Sequence, residues 1–272
     1  NHRTRRIARV IGIAFGYFLL ASAAAATTRF GNGVAFIWVA NALLLAELSI
    51  TSRRYWFAPI FACALASTIA TSAFGFGPAY ALPLAFINVT EAILGAVLLR
   101  LLKPSATRFA SLDAMFAFVL AAGIAAPALT AFGGALVAEV AGKPFWANWL
   151  RWFTGHGLGA LAFTPLFALL LRGDFGNWVR HATPSRALEA CAALASVLAT
   201  AVLVFIQDEL PLLFLPFLPM IVATFRLGRF GAALSVIILT LVGGFFTMRG
   251  TGPVALMGTD LGGRLQFLQF YL

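Results

Sequence analysis

From Ile7 to Leu272 the chain returns repeatedly to apolar runs of about twenty residues, separated by short connections that hold most of its charge. That pattern leaves few folds open. Twenty helical residues extend about 30 Å, the thickness of a bilayer's hydrocarbon. Backbone can cross that layer only as helix or closed barrel, and the short alternating strands of a barrel do not occur in this sequence. Of the 272 residues, 61% are hydrophobic and 10% charged, against about 45–50% and 25% in a soluble domain. A water-soluble fold of this length could not hide so much apolar surface. The expected class is all-α, a polytopic integral membrane helix bundle.

Ten transmembrane helices are expected, the last one truncated: Ile7–Ala26, Gly33–Ser49, Tyr55–Phe74, Tyr80–Leu102, Asp113–Ala141, Phe145–Leu171, Ala187–Ile206, Leu210–Phe225, Phe230–Met248 and Leu261–Leu272. The second is short, the fifth contains Pro127 and the pair Gly133-Gly134, and the eighth holds Pro211, Pro216 and Pro219. With the amino terminus cytoplasmic, the inner side holds Arg3, Arg5, Arg6, Arg9, Arg53, Arg54, Arg100, Lys103, Arg108, Arg172, Arg180, Arg186, Arg226 and Arg229. The outer side holds only Arg29, Lys143, Arg151, Arg249 and Arg264. Fourteen against five satisfies the positive-inside rule at every turn. The first span reads as retained, not as a cleaved signal. Residues 1–272 read as a single transmembrane domain that stops in mid-helix, so a cytoplasmic segment is expected to follow.

The net charge of +10 sits in these connections. It orients the chain and does not point to nucleic acid as a partner. Cys63 and Cys191 lie within apolar runs, with neither disulfide framework nor metal spacing. No phosphate loop, metal motif or serine elbow is present, so no catalytic residue, metal or cofactor is expected.

Ionisable and amide side chains inside the apolar runs need a reason, because a charge at mid-bilayer costs several kcal/mol. Asn88 and Glu91 stand three apart in the fourth span and share a helix face. Asn41, with Trp38 one turn outward, lies in the second. Arg151 and Trp152 lie near the outer end of the sixth, and His156 about 7 Å deeper. These three spans all enter from the outside, so Trp38, Asn41, Asn88, Glu91, Arg151, Trp152 and His156 can converge on one outward-facing site. Glu91 is then the counter-charge for His156 or Arg151. Plainer readings stay open. Arg151 can snorkel to headgroups, Trp149 and Trp152 can belong to an aromatic belt, and His156 can be a satisfied structural histidine. Asn88 and Glu91 can simply bond helices together. Gly155 with Gly159, and Gly12 with Gly16, have the spacing of close helix packing.

Several stretches resemble the type-one membrane-associated sensor family (MASE, first type), a bacterial input domain. "FIWVANALLLAEL" is similar to its tryptophan-led second span and "INVTEAILGAVLLRLL" to its asparagine-x-x-glutamate span. "FWANWLRWFTGHGLGALAFTPLF" is similar to its Trp-rich segment, "RLGRFGAAL" to its inner Arg-x-Gly turn, and "LQFLQ" to the entry of its last span. The likeness covers nearly the whole chain. Three positions depart. Val39 and Asn41 stand where the family has Pro and Gly, and His156 follows Gly155 where the family has Asp.

The resemblance implies a sensory input domain of the bacterial inner membrane, upstream of a cytoplasmic diguanylate cyclase (GGDEF) domain or histidine kinase, at times through PAS modules. On that reading the chain is not itself an enzyme and works as a homodimer among membrane lipids. It would detect a small ligand, a lipid or a membrane partner protein. The alternative is a small-molecule transporter or substrate-binding membrane component, against which no paired repeats are visible. A third is a pure membrane anchor.

Overall fold

The computed structural model describes residues 2–29, 35–103 and 109–272. Gly33, the expected start of the second span, and Arg108 lie outside the described residues. Among those described, regular structure is helical, and the β-pairing is one isolated bridge of Arg29 with Ala35. The helices are α1 (His2–Thr27), α2 (Ala40–Ile50), α3 (Phe57–Phe74), α4 (Pro78–Leu102), α5 (Leu112–Phe118), α6 (Ala126–Val140), α7 (Phe145–Leu171), α8 (Asp174–His181), α9 (Pro184–Phe205), α10 (Phe217–Leu227), α11 (Arg229–Met248) and α12 (Leu261–Tyr271). Among the described residues, seven helical stretches are long and apolar enough to cross a membrane: Arg3–Thr27, Phe57–Phe74, Pro78–Leu102, Leu112–Val140, Phe145–Leu171, Pro184–Phe205 and Arg229–Met248. The second, eighth and tenth expected crossings correspond to helices of 11 residues each, about 16 Å long and half a bilayer.

The chain divides into two compact units, Asn1–Ala168 and Leu169–Leu272. In the first, α1 packs on α2 and α3, and α4 packs on α2, α3 and α6. Along α1, Ile13, Tyr17, Ala21 and Ala24 are buried, while Ile7, Ile11, Phe15 and Leu19 are exposed. Large apolar side chains outside, with small and polar ones inside, are what a lipid solvent selects. Every residue of α2 from Ala40 to Leu48 is buried. Its acid Glu47 meets Arg9 of α1, whose Nε lies 3.0 Å from both carboxylate oxygens and whose Nη2 lies 2.7 Å from one.

Two departures from regular helix shape the first unit. Residues Ala35–Val39 are buried yet not helical. Bare backbone is tolerated at such depth only when protein covers it. The Phe36 amide donates to Thr28 O (2.7 Å) and the Trp38 amide to Gly155 O (3.1 Å). A β-carbon on Gly159 would fall 2.2 Å from Trp38 O, and one on Gly155 3.0 Å from the carbonyls of Ala35 and Phe36. The Gly155/Gly159 spacing therefore receives a non-helical segment, not the neighbouring helix its sequence suggests. The second departure is the π-helical stretch Val119–Ala125 joining α5 to α6. Pro127 has no N–H for the carbonyl four residues back, and its ring crowds that carbonyl. Widening the turn relieves both. It also leaves Gly123 O facing α7, where a β-carbon at Gly157 would stand only 2.6 Å away.

In the second unit α9 packs on α10 and α11, and α11 on α12. Val197, Ala193 and Ala223 form its core with Met220, Leu227 and Ile238 around them. The eighth span, expected over Leu210–Phe225, is helical only from Phe217 to Leu227. Pro211 and Pro216 cannot donate backbone bonds, so the chain before α10 turns instead. Gln207 fixes that turn. Its Oε1 accepts from the Glu209 and Leu210 amides at 2.9 and 2.8 Å. The eight-residue α8, between the sixth and seventh expected spans, was not foreseen. It starts at Gly173, whose φ of 81° is left-handed, a conformation glycine adopts without cost.

Candidate functional site

The polar groups buried in the first unit gather on Glu91. Its Oε1 accepts from Asn41 Nδ2 of α2 at 2.7 Å. Its Oε2 accepts from Thr130 Oγ1 of α6 at 2.8 Å and from Trp152 Nε1 of α7 at 3.2 Å. Nδ1 of His156, one turn beyond Trp152, lies 3.0 and 2.9 Å from the two oxygens. Three elements thus aim donors at one carboxylate, an arrangement suited to the anion. Asn41 extends the group, because its Oδ1 accepts from Tyr17 of α1 (2.7 Å) and from Trp38 Nε1 (3.2 Å). Glu91, His156, Asn41 and Trp152 are all at most 4% exposed.

His156 is also sandwiched. The Trp152 ring stacks at 4.1 Å, 19° from parallel, and the Trp38 ring at 5.7 Å and 8°. Two indole faces and a carboxylate hold the imidazole in place. Glycine makes the sandwich possible, because a β-carbon at Gly134 of α6 would stand 2.3 Å from the Trp152 ring.

Five of the seven residues singled out from the sequence, Trp38, Asn41, Glu91, Trp152 and His156, are therefore in mutual contact. Asn88 is adjacent but turned aside. Three residues advance a helix by about 300°, so Asn88 points to α3, where its Nδ2 donates to Ser67 Oγ at 3.2 Å. Its buried Oδ1 has no hydrogen-bond partner among the described residues. Arg151 is half-buried and is not among the groups on Glu91. Five residues separate it from His156, which sets the two about 140° apart around α7. The titratable side chain seated on Glu91 is His156. Tyr17 and Thr130 escaped the sequence reading, as a lone tyrosine or threonine in an apolar run is commonplace.

A cavity of about 30 Å³ lies beside the cluster, lined by Trp38, Asn88, Trp152 and His156 with Arg29 and Phe76. That is room for one or two waters, well short of the several hundred Å³ of a typical ligand pocket. Arg29 closes one side, its Nη1 donating to Gly75 O at 2.8 Å and its guanidinium 4.9 Å from the Phe76 ring. Partial burial draws the pKa of Arg29 below the ordinary guanidinium value. A smaller void, about 10 Å³, touches Asn41 and Glu91 on another side and is otherwise lined mainly by Ala and Gly. Among the described residues no three His, Cys, Asp or Glu side chains are placed to hold a metal ion.

Comparison with known proteins gives one family and one relative. The family model MASE1 matches residues 8–272. A curated relative, the probable diguanylate cyclase DgcE of Escherichia coli (strain K12), is 28% identical over 172 residues. The match covers 63% of this chain and only 15% of that protein. No solved structure shows a significant match. With the family match spanning almost every residue, the helical membrane chain described above belongs to the MASE1 family.

Proposed function

We propose that the chain is a transmembrane sensory input domain that regulates a cytoplasmic output, a diguanylate cyclase making cyclic di-GMP. It crosses the inner membrane ten times from a cytoplasmic amino terminus and works as a homodimer whose output domains follow residue 272. The reading rests on family membership, on the relative's name, and on one structural observation. That observation is a carboxylate buried at helix mid-length and bonded to three elements, beside a small cavity.

In this scheme a small ligand, a lipid or a membrane partner engages the group Trp38, Asn41, Asn88, Glu91, Trp152 and His156. The cavity is too small for such an occupant as it stands, so occupation must shift the non-helical segment Ala35–Val39 from its seat on α7. Moving between mostly off and mostly on requires a preference of about 5.5 kcal/mol between the two packings. Cutting single contacts to Glu91 should bias that balance. In the full-length protein, Asn41→Ala and Thr130→Val should change cellular cyclic di-GMP, while Asp113→Asn, at an exposed site, should not. Equal output from all three would leave a passive anchor.

One observation favours the transport reading. Non-helical backbone beside buried polar residues is how many transporters build a substrate site. Solute flux in vesicles containing the chain, abolished by Glu91→Gln, would favour it over sensing.

A further inference from the structure

The second unit has charge at one end and little at the other. Arg172, Arg180, Arg186, Arg226 and Arg229 crowd the end where α8 lies, where α9 and α11 begin and where α10 finishes, against the acids Asp174 and Glu189. The opposite end, residues 206–216 and 249–264, has Arg249 and Arg264 against Asp208, Glu209 and Asp260.

At the basic end lies a groove of about 440 Å³ lined by Trp178, Arg186, Glu189, Phe225, Arg226 and Leu227. Arg226 pairs with Glu189, and Arg186 is exposed at the rim. Beside this polar floor the surface is apolar. Phe225 is 85% and Leu188 71% exposed. α8 continues the pattern. Phe175, Trp178 and Val179 fall on one arc of about 100°, and Asn177, Arg180 and His181 on the other. Phe175 packs on Trp178 and on Phe230 of α11, which fixes the orientation of α8. Arg180 is held along the helix by Gly176 O and Asn177 Oδ1. A short amphipathic helix with tryptophan on one side and arginine on the other lies in a membrane interface.

We infer that this groove binds the headgroup of an anionic phospholipid. Its phosphodiester sits at Arg186 and Arg226, the Trp178 indole at the headgroup level, and an acyl chain covers Phe225 and Leu188. Charge complementarity calls for an anion, and the exposed apolar side chains around the groove call for one with a hydrocarbon tail. A soluble phosphate would leave Phe225 and Leu188 bare.

The test uses the full-length protein in nanodiscs of phosphatidylcholine, with and without phosphatidylglycerol, reading retained lipid by native mass spectrometry and stability by thermal unfolding. The expected result is selective retention of phosphatidylglycerol and a higher Tm. Arg186→Gln with Arg226→Gln should reduce retention about fivefold for each arginine removed. Arg249→Gln, at the other end, should leave it unchanged. Equal retention of the two lipids by wild type would overturn the proposal, and that comparison stands even if a variant fails to fold. Inorganic phosphate added to phosphatidylcholine discs separates the sources. If it reproduces the Tm rise, the groove binds a soluble anion and the lipid assignment is wrong.

Discussion

Nδ1 of His156 lies 2.9 Å from Oε2 of Glu91, across 65 residues of sequence, with both side chains all but excluded from the surface. Everything else in the cluster follows from that pair. Asn41, Thr130 and Trp152 take the carboxylate's remaining capacity, and two tryptophans enclose the imidazole. Removing the carboxylate takes the acceptor from Asn41, Trp152 and His156, while Thr130 can still donate to Ala126 O at 3.0 Å. Glu91→Ala should therefore lower stability by about 3 kcal/mol, measured by reversible unfolding in detergent. Glu91→Gln, which keeps an acceptor, should lose less.

Asn88 stands three residues away and should behave differently. Its only bond to another side chain among those described is the one to Ser67, so Asn88→Leu should cost about 1 kcal/mol or less. Asn41→Leu cuts Glu91 from Tyr17 and Trp38 and should cost two to three times as much. Thermal unfolding of the two variants side by side measures the ratio, and equal losses would contradict the geometry.

The glycines of α7 give a steric prediction. A methyl group at Gly159 must displace Trp38 O, 2.2 Å away, whereas one at Gly12 has no neighbour within 4 Å. Gly159→Ala should cost about 1–3 kcal/mol, and Gly12→Ala should stay within about 0.5 kcal/mol of wild type. Because Trp38 rides on the displaced segment, its fluorescence should also shift in Gly159→Ala.

Arg9 and Glu47 form the other buried-carboxylate pair, with Glu47 4% exposed. Arg9→Ala strands that carboxylate and should cost about 3 kcal/mol. Arg9→Met together with Glu47→Leu removes both charges and should recover most of the loss. A double variant as unstable as Arg9→Ala would mean that Arg9 acts through packing.

The membrane class and most of the cluster were legible because polar groups in apolar runs stand out. Glu91, Asn41, Trp152 and His156 each had a plainer reading alone, and only their shared depth on spans entering from one side pointed to a single cluster. The rest was hidden for physical reasons. The stretch from Ala35 to Val39 is as apolar as a helix, and hydropathy cannot tell non-helical chain from helix once both are buried. Glu47 sits inside the expected second span, and only its contact with Arg9 shows how it is accommodated. Arg151 was grouped with His156 by depth alone, but depth does not give the angle around a helix. The eighth span was expected to start at Leu210 because the run is apolar throughout, whereas Pro211 and Pro216 hold the chain before Phe217 out of the helix. The π-helical stretch depends on Pro127 and on the close approach of Gly157, a pairing across α6 and α7 that sequence spacing does not reveal.

The most direct test of a sensing role for the buried carboxylate is cyclic di-GMP production by the full-length protein in native membranes, wild type against Glu91→Gln at matched expression and verified fold. The account predicts that the variant is fixed at one extreme of the wild-type range and no longer follows conditions that move the wild type. A folded Glu91→Gln protein whose output rises and falls as the wild type's does would contradict it.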